Sequence, residues 1–520
     1  MHEAVPGTRA IALVGPAGAG KTCLAEAMLF ASGTIDRQGD TAAGTSIGDS
    51  SPEARSRGGS TELNLMNFEW LGERFALLDL PGGTGFAADG MRALAVADLA
   101  IVVVDPDPAR APLAAPQLRM LDELGIPHLV FVNRIDAARG SIGDLLSALQ
   151  PLSVSPLIAR QIPITTGEKV TGFVDVALER AFHYRSGQPS ERITMPAELD
   201  AMEAQARTRL LEQLADHDDA LLEALLMDET PDLDTIARDL ARETGENLGV
   251  PLLFGSAANG WGVRRLMKAL RHEAPGPDAT ARRLGVSDPA IYAFKVSHGH
   301  SLGRLVLARV LGGELAEGQE LHGADARSFR PGALFTLQGE KNQRLAKAPE
   351  GSVLALAKAD QLHAGEWLAR GSLPPAPEVP LPSRNVRLAI LPADRKDDVK
   401  LSGALHKLAE EDPTLTVEHD EATHELILSG VNEEQLGNAL AKLKRRHGVS
   451  VTSRAPQVGY RESIRRPVTQ RGRHKKQSGG HGQFGDVLIE IRPQERGSGF
   501  AFEERIHGGA IPRQYIPAVE

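Results

Sequence analysis

Cysteine is nearly missing from this chain. Cys23 is the only one in 520 residues, so no intrachain disulfide can form and a reducing compartment is expected. Long apolar runs are missing too. None reaches membrane-spanning length, and the opening MHEAVPGTRA holds no apolar stretch of signal-peptide length. The expectation is a soluble, cytoplasmic chain with no membrane partner. An excess of positive charge is also absent. The 58 Lys and Arg against 68 Asp and Glu leave a net charge of -10, which excludes a surface built as a whole to coat nucleic acid. Internal repeats and low-complexity tracts are lacking. What remains, 42% hydrophobic and 24% charged, is an ordinary globular composition. Its length calls for about three to five domains.

The texture changes along the chain. Residues 9–153 alternate short apolar runs (AIALVG, FALLDL, LAIVVVD, HLVFVN) with helical stretches such as 22–32, the pattern of a parallel sheet with crossover helices. Residues 155–250 interrupt it with a long helical, acid-rich run, PAELDAMEAQARTRLLEQLADHDDALLEALLMDE. The pattern resumes at VPLLFGSA and ends before the breaker-rich APGPDAT. Residues 287–373 carry short alternating strands with Gly turns, expected as a β-barrel. Residues 384–455 run strand, helix, strand, strand, helix, strand, the split βαβ order of a ferredoxin-like domain. The last piece, 458–520, holds a Gly-rich loop between strands. The positive charge the chain does have gathers here: residues 461–476, RESIRRPVTQRGRHKK, hold seven Lys or Arg against one acid. Taken alone, such a run is as readily a solvated face as a binding surface.

Three motifs carry chemistry. GPAGAGKT, residues 15–22, fits G-x-x-x-x-G-K-[ST] and lies between the strand AIALV and the helix CLAEAMLF, the context a phosphate loop requires. Gly15, Gly18, Ala19 and Gly20 let backbone N–H groups converge on phosphates. Lys21 brings charge to the β/γ oxygens, and the Thr22 hydroxyl ligates Mg²⁺. FVNRID closes another strand with Asn133, Arg134 and Asp136. A carboxylate at 136 can accept both edge donors of guanine, which adenine lacks. Asn133 can touch the base and tie to the phosphate loop, and the Arg134 stem can cover the ring. GSA, residues 255–257, ends the next strand, so the Ala257 N–H beside Ser256 is placed to meet guanine O6. In ALLDLPGG, Asp79 suits Mg²⁺ held through water, and Pro81–Gly82 brings an N–H to the γ-phosphate. GTP or GDP with Mg²⁺ is expected. A P-loop kinase or ATPase would leave Asn133, Asp136 and the later domains without a use.

In this order the motifs resemble those of the translational GTPases. AEEDPTLTV (409–417), PQVGYRESI (456–464), QSGGHGQFGDV (477–487) and GGAIPRQYIPAVE (508–520) resemble elongation factor G over nearly the whole chain. The divergent GTPase domain points to its paralogous, elongation factor G-like branch. The resemblance implies a multidomain α/β protein: a P-loop GTPase domain at 1–276 with an insert at about 155–250, a β-barrel at 287–373, a ferredoxin-like domain at 384–455 and a partial α+β fourth domain at 458–520. It implies a monomeric GTPase that acts on the ribosome in translocation or ribosome disassembly. It also implies that the tip loop KKQSGGHGQFG meets ribosomal RNA through Lys475, Lys476, Gln477, His481 and Gln483.

Three departures cluster near the γ-phosphate. The family's DTPGH is DLPGG here, so Gly83 stands at the position of the histidine that positions the attacking water. RGIT is RGGS, so Ser60 replaces the Mg²⁺-binding threonine and Gly59 loosens the loop. Gly18 replaces an aspartate of the phosphate loop. Nucleotide binding is therefore expected to persist and hydrolysis to be slow; the alternative use is a GTP-binding, ribosome-associated switch or protection factor with little turnover. The stop at Glu520 falls where the family begins a helix of its fourth domain, so a fragment is expected.

Overall fold

The computed structural model describes residues 5–138, 141–167, 169–299, 302–325, 327–339, 341–460, 462–477, 480 and 482–520. They divide into two compact units: residues up to 420 with 424–456, and residues 421–423 with 457–520.

The first unit begins with β1 (Thr8–Val14), helices α1 (Lys21–Ser32) and α2 (Pro52–Arg57), β2 (Asn64–Trp70), β3 (Glu73–Asp79), β4 (Leu99–Val104), β5 (His128–Val132) and β6 (Leu157–Ala159). After β7 (Gln161–Thr166), β8 (Lys169–Asp175), β9 (Arg180–His183) and β10 (Glu191–Ile193) comes β11 (Val250–Phe254). The main sheet has the order β2-β3-β1-β4-β5-β11-β6. Every pair in it is parallel except the edge pair β2/β3. Both faces are covered, which is why β1, β4, β5 and β11 are buried throughout and, apart from Thr8, Arg9 and His128 at the strand starts, read as apolar runs. Ala10, Ala12 and Val14 enter one core while Ile11 and Leu13 enter the other, as the two-residue period of a strand dictates.

Two details depart from the sequence pattern. Leu157–Ala159 still belongs to the main sheet beside β11, so the chain leaves that sheet only near residue 160, for the four-stranded β10-β9-β8-β7 sheet. The long acid-rich run is two helices, Asp200–Ala215 and Asp219–Leu226. Asp218 breaks it: extended there, its carboxylate accepts the N–H groups of Ala220 and Leu221 at 2.9 and 3.0 Å and so starts a new helix.

An eight-stranded antiparallel sheet, from Ala290–Gly299 to Trp367–Ala369, wraps its own apolar core. It docks on the parallel-sheet domain through an apolar core that the two share and a buried ion pair, Arg309 to Asp98 at 2.5 Å, both side chains fully enclosed. Asp98 also accepts the Ala10 N–H at 2.7 Å and the Thr280 hydroxyl. The third region orders Thr416–Asp420, Glu425–Gly430, Val386–Pro392 and Val451–Arg454 into one antiparallel sheet, packed by helices Asp398–Glu411 and Glu433–His447. That is the ferredoxin-like arrangement.

The second unit holds a hairpin of Val468–Gln477 with Gly482–Ile491 in unbroken register, Val468 opposite Ile491 and Gln477 opposite Gly482. It ends in a 3₁₀ turn over Arg513–Ala518 with Pro517 inside.

Candidate nucleotide-binding site

The loop between β1 and α1 is shaped by glycine. Gly15, Gly18 and Gly20 have φ of 141°, 77° and 91°, conformations that L side chains rarely adopt. A Cβ on Gly15 would strike the Val103 carbonyl, and one on Gly20 the Asn133 amide. Gly18 faces open space, so only its backbone conformation resists the aspartate common in the family. Ala19 is buried beneath the loop. Lys21 starts α1 and curls back, its Nζ donating to the carbonyls of Gly15 and Pro16 at 3.0 and 3.1 Å. Burial lowers its pKa, against the pull of Asp79 and Asp49.

Below the lysine four oxygen-bearing side chains converge. The Thr22 hydroxyl donates to Asp79 Oδ2 at 2.7 Å and lies 3.2 Å from Ser60 Oγ. Ser60 Oγ donates to Asp49 Oδ2 at 3.0 Å. Asn64 Nδ2 braces the two carboxylates, 3.0 Å from Asp49 Oδ1 and 3.4 Å from Asp79 Oδ2. Asp79 is fully buried, and its Oδ1 has no hydrogen-bond partner among the described residues. Burial, and then Asp49, push its pKa up to about 7. Hard oxygens with two carboxylates suit Mg²⁺, which takes one or two carboxylates and keeps several waters. A cation there would remove the repulsion that raises Asp79. The site can hold the ion through Thr22, Ser60, Asp49 and Asp79.

The base side is tied to the same loop. Asn133 Nδ2 donates to the Ala19 carbonyl at 2.9 Å, and its Oδ1 accepts the N–H groups of Arg134 and Ala257, each at 2.9 Å. The Ala257 N–H is thus engaged by Asn133, and a guanine O6 would have to share it. Ser256 closes its turn with Trp261 through paired backbone bonds of 3.0 and 2.9 Å. Arg134 adopts φ 60°, which turns its side chain outward to within 3.5 Å of Asp105. The Asp136 carboxylate faces solvent, open to a base edge.

Gly82 and Gly83 lie at the phosphate end. A Cβ on Gly82 would collide with Lys21 Nζ and stand 2.8 Å from the Ala17 N, so only glycine permits this approach. A Cβ on Gly83 would stand 2.7 Å from an Arg57 guanidinium nitrogen. In the hairpin, Lys475 pairs with Phe484 and Lys476 with Gln483, so the two lysines point to opposite faces. Gln477 lies opposite Gly482 at the end. His481 lies outside the described residues.

The description "Elongation factor Tu GTP binding domain" matches residues 7–276, "Elongation Factor G, domain III" matches 381–455, and "Elongation factor G, domain IV" matches 456–520. An elongation factor G-like protein of Synechocystis is 42% identical over 517 residues, covering 98% of this chain and 76% of that protein. The chain belongs to the elongation factor G family. An elongation factor G of Thermotoga petrophila is 31% identical over 533 residues, covering 98% of this chain and 77% of its own. A solved structure from Thermus thermophilus superposes with a TM-score of 0.86 at 32% identity, covering 99% of this chain and 77% of that one. The chain is therefore a GTP-binding translation factor of a GTP-hydrolysing family. Among its described residues no helix is long and apolar enough to cross a membrane.

Asp49 and Asn64 have no motif to announce them, and of Arg57 the sequence shows only its place at the head of RGGS. Asp49 sits in a loop with φ 49°; an aspartate with positive φ in a Gly/Ser-rich turn looks like any other turn residue.

Proposed function

We propose that this elongation factor G-like chain binds GTP and GDP through Lys21, Asn133 and Asp136 and acts on the ribosome as a slow GTPase. The observation that carries this is the contrast at one end of the site. The oxygen cluster of Thr22, Asp79, Ser60 and Asp49 is complete, while Gly83 offers no side chain beside it.

Thr22, Ser60, Asp79 and Asp49 would hold Mg²⁺, which when bound neutralises phosphate charge. Gly15, Gly18, Ala19 and Gly20 shape the phosphate cradle, and Lys21 leaves its two carbonyl partners for the phosphate oxygens. Gly82 brings its N–H to the γ-phosphate. Arg134 covers the base and Asp136 selects guanine, with Ser256 and Ala257 closing the far side of the ring. Hydrolysis is mostly positioning and electrostatics, and without a side chain at 83 the attacking water is poorly oriented.

The bare Gly83 also supports a second use of the same site: occupancy of the ribosome by the GTP-bound form, as a switch or protection factor. The hairpin end, with Lys475, Lys476, Gln477, His481 and Gln483, is the surface for ribosomal RNA. The chain works as a cytoplasmic monomer, with domains divided at about 1–276, 287–373, 384–455 and 458–520.

Competition titration of GTP against ATP, with GTP turnover measured with and without ribosomes, tests this. Micromolar or tighter GTP binding with turnover well below that of an ordinary family member is expected. Equal affinity for ATP would overturn it, and full turnover would overturn the slow assignment.

A further inference from the structure

We propose that Glu26 is the positioning residue that closes the loop 39–48 and so delivers Asp49 to the metal end of the nucleotide site. This rests on the nucleotide site proposed above. Glu26 lies on α1 one turn beyond Thr22, so the two side chains project from the same face of the helix. It is fully enclosed. Its Oε1 accepts the N–H groups of Ile47 and Gly48 at 2.6 and 3.3 Å, and its Oε2 accepts that of Gly39 at 3.2 Å. One buried carboxylate thus holds both ends of the span from Gly39 to Gly48.

That span has little else to fix its shape. The chain between Ser32 and Pro52 forms neither helix nor strand, and RQGDTAAGTSIGD (37–49) is mostly glycine and small polar residues. Its inner bonds are local. Asp40 accepts the N–H groups of Ala42 and Ala43 at 2.7 and 3.2 Å, and Ser46 Oγ donates to the Gly48 carbonyl at 2.7 Å. Gln38 donates to the Ala257 carbonyl at 3.0 Å, which moors the start of the loop to the base side. The barrel turn at Gly339 covers Ile47 from outside, but its N–H goes to the Leu65 carbonyl of β2 at 3.1 Å. Hydrogen bonds from N–H groups to an ionised oxygen are about twice as strong as neutral ones. Glu26 is the charged hold that α1 exerts on this loop.

What the clasp positions is the next residue. Gly48 is drawn against Thr22, where a Cβ on it would stand 3.3 Å from the Thr22 methyl carbon. Asp49 follows directly. Its N–H donates to Asn64 Oδ1 at 3.1 Å, and its carboxylate accepts from Ser60 Oγ and Asn64 Nδ2, each at 3.0 Å. With Gly48 anchored, the Asp49 carboxylate falls into the cluster of Thr22, Ser60 and Asp79. The Glu26 bonds go to the loop, so it acts through Asp49 and ligates nothing itself. Groups behind the ligands of a metal fix where those ligands stand, and their loss typically costs about 10–100-fold in metal affinity.

The test uses the whole chain in five forms: wild type, Glu26→Gln, Glu26→Ala, Asp49→Asn and the Glu26→Ala/Asp49→Asn double variant. Hydrogen exchange over residues 39–48 is followed without nucleotide, and release of a fluorescent GTP analogue is followed across a Mg²⁺ series. In Glu26→Ala the span should lose its protection against exchange. The Mg²⁺ concentration that halves the release rate should rise by about 10–100-fold, and by less in Glu26→Gln, which keeps an acceptor oxygen. On top of Asp49→Asn, Glu26→Ala should add less than about twofold, because residues that act as one unit are not additive. If the alanine forms do not fold, Glu26→Gln alone and combined with Asp49→Asn decides by the same readouts. Unchanged exchange over 39–48 would overturn the clasp, and full additivity with Asp49→Asn would overturn the delivery of Asp49. A wild type that binds no guanine nucleotide, or keeps it equally well without Mg²⁺, would overturn the nucleotide and metal site itself, and the delivery of Asp49 with it.

Discussion

Gly82 and Gly83 are neighbours under opposite constraints. At 82 the backbone N of Ala17 and carbonyl of Gly15, each 2.8 Å from where a Cβ would sit, leave no room for a methyl group, whereas at 83 the nearest obstacle is the movable end of Arg57. Asp136 has no such crowding, and its solvent-facing carboxylate should read guanine directly. Asp136→Asn removes one acceptor, so GTP and GDP affinity should fall by about 1–3 kcal/mol while xanthine nucleotides gain. Isothermal titration with the three nucleotides checks this, and an unchanged order of affinities would count against it. Glu243, in the inserted helices, poses a separate question. It is fully buried with neither oxygen bonded among the described residues. Burial, with smaller pushes from Asp239 and Asp216 against Arg242, raises its pKa to about 7. The unfolded chain holds that proton only below about pH 4.3. The folded form therefore gains from its extra proton at low pH, and the gain is lost as pH rises through about 7. Glu243→Gln should flatten the decline in stability between pH 5 and 8 and add about 1–3 kcal/mol at pH 8. Denaturant melts at both pH values would show it; parallel slopes would not.

The hairpin of Val468–Gln477 with Gly482–Ile491 acts as one element. Its register makes Lys475 a neighbour of Phe484 and Lys476 a neighbour of Gln483, one lysine to each face. A strand end inserted among RNA phosphates would engage both faces. Each single Lys→Ala substitution should then lower the log–log salt slope of ribosome association by about 0.7–0.9, and the pair by about twice that, with GDP affinity unmoved. Pelleting across a salt series distinguishes the outcomes. A loss confined to one lysine restricts contact to one face, and no loss with either leaves the hairpin end as a solvated surface.

Across the first unit, buried charge accompanies apolar packing at the joints between domains, and one apolar core runs from the GTPase domain into the eight-stranded sheet. Asp98 lies at the joint of GTPase domain and eight-stranded sheet, paired with Arg309 at 2.5 Å. Nearby, the pKa of Arg283 is lowered to about 10 by burial, against the pull of Asp98. Asp98→Ala strands a buried guanidinium, and removal of one partner of a buried pair costs about 3–5 kcal/mol. Calorimetry should show that loss or a split of the transition into two. The Glu53–Arg445 pair is more exposed on the arginine side, so a double-mutant cycle on it should return only about 0.5–1.5 kcal/mol. Coupling near zero would mean that the two helices are held by their other contacts.

Much of the site was legible because its parts are short and local. Gly15–Thr22 lies on one strand–loop–helix passage, and Asn133 with Asp136 closes one strand, so spacing alone carried the chemistry. The order of strands and helices from 386 to 454 likewise announced its sheet. The split at Asp218 was misread because a capping aspartate inside an acid-rich run looks like one more helix residue until its carboxylate is seen to accept two N–H groups. Asp49 and Asn64 carry no local mark, and Arg57 is marked only as the first residue of RGGS. Asp49 reaches Ser60, and Arg57 reaches Gly83 and Glu434, only because the loop around α2 folds back over the phosphate end and meets a helix nearly 380 residues further along. The sequence by itself determined which residues are proposed for a guanine nucleotide, since each motif needs only its neighbours. Tertiary structure alone decided that Arg57 stands beside Gly83 and meets Glu434, because that depends on the meeting of two domains whose contacts no local period encodes.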